Sequence, residues 1–270
     1  MHVAEPSTSA SLPPALPPAL PGTLAGTGLE LPHVQVPPFL EPLRDSFLGY
    51  ANRTGRPPGT LVNLLGGLFV GVGLVRDQTR PWAHAWHLSN LAALQRDRRR
   101  WFVLGDSLAQ GIGASRPGAG WVRQLADRLC PDHPDVDVVN LSATGAAVAD
   151  VVDQQLPVMR SLLRPGEHPL AVVMIGFNDL YGGLRTRRRM AESFASLLAL
   201  LPRGSVISTM PRGGARVVGA NRHIARAAAD GRVRMVDMVR HGPASWRVDL
   251  AEDWFHPDDT GHARIADAFH

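Results

Sequence analysis

The chain contains no lysine and only one cysteine among its 270 residues. Its 28 basic side chains are therefore all arginine, which does not titrate in the accessible range. A formal charge of only +4 thus carries a pI of about 10.4. That pI is a poor argument for nucleic-acid binding, because steering follows net charge and charged patches. The single Cys130 excludes an intrachain disulfide framework and any multi-cysteine zinc site. Aromatic residues make up 6%, too few for the stacking platforms that hold single-stranded nucleic acid. No basic region followed by an apolar run opens the chain, so no ordinary signal peptide is expected at residue 1. What is present is an ordinary globular balance, 44% apolar and 19% charged, with length for one large α/β domain or two smaller ones.

The first 42 residues hold ten of the 23 prolines. Proline fixes φ and removes a donor, so residues 1–50 read as a polyproline-like or disordered arm, either a plain tail or a ligand for a proline-reading partner. The uncharged run Leu61–Val75, LVNLLGGLFVGVGLV, contains Asn63 and four glycines. As a helix it would span about 22 Å at about 1.5 Å per residue, short of a hydrocarbon core of about 30 Å. It is expected to pack on the main domain as a helix or strand; a short membrane or signal-anchor element and a surface attachment are the alternatives. Residues 81–95 predict an amphipathic helix opened by Pro81, with Trp82, Trp86, Leu91 and Leu94 on its docking side. His84 and His87 read as packing or surface residues, and Arg98–Arg100 as a solvated lead-in.

From Trp101 the pattern alternates. Apolar runs at 101–104, 136–139, 170–175, 205–209 and 233–238 read as strands. Helical stretches lie near 119–130, 147–155, 188–201, 215–229 and 258–269. Short strands separated by helices of this length imply βαβ units, a mostly parallel sheet and helices on both faces. The expected division is an arm (1–50), an apolar segment with an accessory helix (51–98) and one α/β domain (99–270).

In open α/β sheets ligands bind beyond the carboxyl ends of the strands. Gly105-Asp106-Ser107-Leu108 follows the first strand, Asn140-Leu141-Ser142-Ala143-Thr144-Gly145 the second, and Gly176-Phe177-Asn178-Asp179 the third. Asp253-Trp254-Phe255-His256-Pro257 precedes the last helix. This set suits acyl transfer through a serine: Ser107 as nucleophile, His256 as base and Asp253 as its orienter. The Ser107 N–H, the Gly145 N–H and the Asn178 amide would meet the developing oxyanion. Taken singly, each block has a blander reading: Ser107 as a helix cap, Gly145 as a turn glycine, Asn178-Asp179 as a turn whose aspartate caps the following segment. A second Asp-x-x-His, Asp259 to His262, competes for the base. Pro257 suits the first turn of the last helix with Asp258 and Asp259 at its positive end, which leaves His256 in the preceding loop, able to reach the serine. A metal site in His256–His262 is set aside because its ligands would point around the helix.

These blocks, in this order over residues 101–269, resemble the GDSL lipases and esterases of the SGNH hydrolase superfamily, with flanks (AQGIGAS and NLSATGA) similar to actinobacterial members. The resemblance implies a flavodoxin-like three-layer α/β/α sandwich with a mostly parallel sheet of about five strands. It implies Ser107, Asp253 and His256 as the triad, Ser107, Gly145 and Asn178 as the oxyanion hole, and neither metal nor organic cofactor. The Gly-x-Ser-x-Gly elbow of α/β-hydrolases is missing, since Leu108 and Ala109 follow Ser107. The expected substrate is a small-molecule, lipid or glycan acyl ester, and no nucleic-acid partner is expected. An acyltransferase using the same triad is the near alternative; a non-catalytic protein binding a membrane or partner through the proline-rich arm and residues 61–75 is the remote one. Arg185, Arg187, Arg188 and Arg189 read as a solvated helix start, with contact to an anionic substrate group as the alternative. The expected location is cytoplasmic, with a membrane-associated or exported form as the alternative.

Overall fold

Five of the apolar runs become the strands of one sheet. They are β1 (Arg99–Gly105), β2 (Val136–Asn140), β3 (Leu170–Met174), β4 (Ser205–Ser208) and β5 (Val233–Val236). The sheet order is β2-β1-β3-β4-β5 and every pairing is parallel. This is the flavodoxin-like doubly wound order, whose switch point lies between β1 and β3. The computed structural model describes residues 47, 49–55, 70–211, 214–243 and 245–270. Most of the proline-rich arm and residues 61–69 of the apolar run lie outside the described residues.

The alternation of side chains along a strand assigns the two faces. Trp101 and Val103 of β1 and Val172 and Met174 of β3 join one buried cluster. It also contains Trp121, Val122 and Leu125 of α3 (Trp121–Leu129) and Ile265 and Ala266 of α9 (Asp259–Phe269). Trp121 stacks on Phe269 with ring centroids 4.5 Å apart. Phe102, Leu104, Ala171 and Val173 point the other way and are also fully buried. Their layer is built by α4 (Val148–Asp150), a π-helical turn (Val151–Gln155), α5 (Leu156–Ser161), α7 (Leu184–Leu200) and α8 (Gly214–Ala229). Met159, Phe194, Leu197 and Ile224 are its buried side chains. The result is the three-layer α/β fold expected from the alternating runs.

Two elements depart from expectation. The accessory helix α1 runs Val70–Leu94, so Pro81 lies inside it rather than at its start. Proline removes one i→i−4 bond there. Docking contacts hold the helix across that point: Trp82 Nε1 donates to the Gly111 carbonyl at 2.9 Å and Trp86 Nε1 to the Gln110 carbonyl at 2.9 Å. Tertiary packing, more than propensity, stabilises helices in proteins. The arginine triplet is not a uniformly solvated lead-in. Arg99 forms an exposed pair with Asp135, whereas Arg100 is buried and paired through two nitrogens to Glu167. The reason is register: both lie in β1, on opposite sides of the pleat. Among the described residues, no helix is long and apolar enough to cross a membrane.

Candidate active site

The carboxyl edge of the sheet collects the residues singled out above. Two short helices missed in the sequence, α2 (Ser107–Gln110) and α6 (Phe177–Tyr181), begin directly after β1 and β3. Asp106, not Ser107, is the N-cap of α2: its Oδ1 accepts from the Leu108 N–H at 3.0 Å. Ser107 takes the first helical position, so the bland capping role belongs to its neighbour.

His256 reaches Ser107 across 149 residues of chain, with Nε2 2.8 Å from Oγ. Its Nδ1 lies 2.5 Å from Asp253 Oδ2. Asp253 Oδ1 accepts from the backbone N–H groups of Phe255 at 2.9 Å and His256 at 2.8 Å. Burial pushes the Asp253 carboxyl up, but the His256 bond and charge and these two N–H donors outweigh it and hold the group below the usual carboxylate value. Between them Trp254 sits at φ +57, the residue 82% exposed. A bulky residue in that region costs roughly 1–2 kcal/mol, which the turn around the Asp253 carboxylate offsets.

The loop carrying His256 is also fixed from the side of the segment that follows Ser107. Gly113, at φ +96, lies so close to it that an added Cβ would be 2.3 Å from the Pro257 carbonyl oxygen and 2.7 Å from the His256 Cβ. Pro257 itself precedes the last helix rather than opening it. Asp258 is the cap of α9, accepting from the Gly261 N–H at 2.8 Å, and Pro257 instead pairs in a bridge with Leu250.

The competing histidine is elsewhere. His262 is fully buried on α9, its Nε2 donating to the Ile112 carbonyl at 3.1 Å. Burial pushes its value down to about 4, against the opposing effect of that bond. Asp259 accepts from the Ser115 N–H and hydroxyl at 2.7 and 2.6 Å. The acidic and imidazole groups of residues 256–262 therefore diverge.

Gly145 lies in an exposed turn after β2 at φ +82. An added Cβ would meet no protein atom within 4 Å, so it is backbone conformation that asks for glycine there. Asn178, on α6, donates from Nδ2 to the Ala146 carbonyl at 2.9 Å. Asp179 does not cap its own following segment; its Oδ2 accepts from the Val148 N–H at 2.9 Å. The pair Asn178-Asp179 thus holds the loop carrying Gly145 to α6, a role that reading them as a turn did not suggest. Burial pushes the Asp106 carboxyl up to about 7, with the Leu108 N–H opposing and the nearby Asp179 adding.

Around His256 the surface is aromatic. Phe255 meets His256 edge-on at 4.9 Å and Tyr181 edge-on at 5.6 Å, and Phe177 lies 6.1 Å from Trp246. Tyr181, Trp254 and Phe255 are exposed. Of the arginines after Asn178, Arg187 donates to the Gly182 carbonyl at 2.6 Å. Arg185 and Arg189 line a groove of about 390 Å³ with Asp153, Thr186 and Glu192, a groove that does not include Ser107 or His256.

Residues 103–264 match the model of the GDSL-like lipase/acylhydrolase family. No curated protein matches the chain. Among solved structures, that of TesA is 23% identical with a TM-score of 0.50, covering 63% of this chain and 95% of its own. LAE5, an alpha/beta hydrolase enzyme from the metagenome of Lake Arreo, Spain, is 22% identical at 0.49, covering 63% and 93%. The psychrotrophic esterase EstA from Pseudoalteromonas sp. is 20% identical at 0.48, covering 63% and 94%. At 23% identity the likeness to TesA speaks for the fold alone.

Proposed function

The chain belongs to the GDSL-like lipase/acylhydrolase family, and on that premise we propose that it is a serine esterase working through an acyl-enzyme. The observation that carries this reading is the unbroken chain of contacts from Ser107 Oγ through His256 to Asp253, at 2.8 and 2.5 Å. Ser107 Oγ attacks the ester carbonyl carbon as its proton passes to His256 Nε2. Asp253, kept ionised by its donors, stabilises the imidazolium that forms. Negative charge builds on the carbonyl oxygen, where the Ser107 N–H, the Gly145 N–H and the Asn178 amide receive it. The intermediate collapses, the C–O bond to the alcohol breaks, and His256 returns the proton to the leaving oxygen. Water, deprotonated by the same imidazole, then attacks the acyl-serine and frees the acid and Ser107.

The substrate is a small-molecule, lipid or glycan acyl ester, and the exposed Tyr181, Trp254 and Phe255 beside His256 favour one with an apolar or ring-shaped part next to the scissile bond. We place the catalytic unit at residues 99–270, with the arm and the accessory helix before it.

The test is hydrolysis of a chain-length panel of p-nitrophenyl acyl esters by full-length protein, alongside labelling with a fluorophosphonate. Wild type is expected to hydrolyse at least one ester and to carry the label on Ser107. Ser107→Ala is expected to lose both, by a factor on the order of 10⁶ in kcat, and Asp253→Asn to retain a measurable remainder. Full activity in Ser107→Ala would sink the proposal. Product analysis with added alcohols separates hydrolysis from acyl transfer.

A further inference from the structure

The loop that carries Gly145 is held by residues lying ahead of the part of the chain matched to the family. Asn52 is buried, 1% exposed, at φ +57. Its Nδ2 donates to the carbonyls of Asn140 at 2.7 Å and Ser142 at 3.1 Å. Its Oδ1 accepts from Asn90 Nδ2 at 3.3 Å, and its own carbonyl accepts from Gln110 Nε2 at 3.0 Å. Tyr50 donates its hydroxyl to the Leu141 carbonyl at 2.5 Å. Next to Asn52, Arg53 forms a parallel bridge with Thr144.

Asn90 and Gln110 complete this network. Asn90 on α1 accepts from the Asn140 N–H at 2.8 Å and donates to the Asn140 carbonyl at 2.7 Å. Gln110 Nε2 donates also to the Ser142 carbonyl at 3.2 Å, and its Oε1 accepts from the Thr144 N–H at 3.0 Å and hydroxyl at 2.5 Å. The carbonyls of three consecutive residues, 140–142, and the N–H of Thr144 are therefore bound by side chains from outside the loop. The peptide unit linking Thr144 to Gly145 carries the Gly145 N–H, so its orientation depends on how Thr144 is held. A misplaced donor in a water-poor site loses most of its value, because the stabilisation depends on being aimed in advance. Asparagine suits the left-handed backbone at position 52 better than most residues, and a buried amide with both ends bonded resists removal.

We propose that Asn52 is a positioning residue for the oxyanion loop, acting through Asn140, Ser142 and Thr144 and not by touching the substrate. The segment containing Tyr50, Asn52 and Arg53 is thereby a working part of the active site. This inference rests on the esterase reading above.

The experiment compares full-length wild type, Asn52→Gly and Asn52→Ala on the best p-nitrophenyl ester, with kcat expressed per serine titrated by a fluorophosphonate. Asn52→Gly keeps the left-handed backbone accessible and removes only the amide, so it remains informative if Asn52→Ala folds poorly. The expected result is a loss in kcat per titrated serine of roughly 10- to 100-fold in Asn52→Gly, part of what a deleted oxyanion donor costs. KM is expected to stay within about twofold and the pH midpoint of kcat/KM unchanged, since the Ser107–His256–Asp253 chain is not in contact with Asn52. An unchanged kcat per titrated serine in Asn52→Gly overturns the inference while leaving the esterase reading intact. A wild type that neither hydrolyses esters nor labels on Ser107 overturns both.

Discussion

His262 and Asp106 sit within the same small region and titrate in opposite senses. The folded value of His262 is about 4 against an ordinary 6.5, so in that window the unfolded chain binds a proton that the folded chain refuses. Its contribution is complete above about 6.5 and fades as pH falls toward 4, on the order of 3 kcal/mol by linkage. Asp106 has a folded value of about 7 against 3.8, so there the folded chain keeps a proton the unfolded one has lost. That contribution declines as pH rises through the same range, and the two slopes oppose each other. In His262→Gln the opposing His262 slope is removed, so relative to wild type the midpoint of thermal melts should fall as pH rises from 4 to 6.5; parallel profiles for the two proteins would refute this account. The sequence order of Ser107, Gly145, Asn178, Asp253 and His256 was enough to place each at the sheet's carboxyl edge, because every strand of a parallel sheet delivers its next loop to that edge. Asn52, Asn90 and Gln110 could not be found that way. Their amides satisfy backbone groups distant in sequence, and no periodicity or charge marks a residue chosen for that.

At the scale of elements, the strands were legible as short apolar runs because a parallel sheet covered on both faces leaves no room for alternation. The interior Pro81 in α1 was not, since local propensity argues for a helix start and the contacts that override it lie on Gln110 and Gly111. Arg100 shows the same conflict between local pattern and packing. Removing one partner of a buried pair leaves the other uncompensated and costs about 3–5 kcal/mol. Arg100→Ala is therefore expected to lower the denaturation midpoint substantially, because Glu167 is left without its partner. Arg99→Ala, beside it in sequence but on an exposed pair, should leave the midpoint unchanged. Equal effects of the two substitutions in urea melts would show that the register of β1 is not what separates them.

At the scale of the molecule, α1 belongs to the core and not to an appended layer: Trp86 shares one buried cluster with Trp121 of α3 and Ile265 of α9. The described residues from 70 onward are expected to melt in one cooperative step, with tryptophan fluorescence and ester hydrolysis lost at the same temperature. A separate early fluorescence transition that spares activity would contradict this. The two margins of the sheet meet solvent differently. At the end of β2 the Asn90 amide occupies both outward hydrogen-bonding groups of Asn140, as a neighbouring strand would. At the other margin β5 is only four residues long, with Arg234 and Met235 exposed. The β5 margin is the one left open by these contacts, and there a short strand and an arginine discourage extension of the sheet. In a β5-to-β5 pairing of two copies the exposed Arg234 side chains would repel, so self-association is left to a margin already guarded by charge.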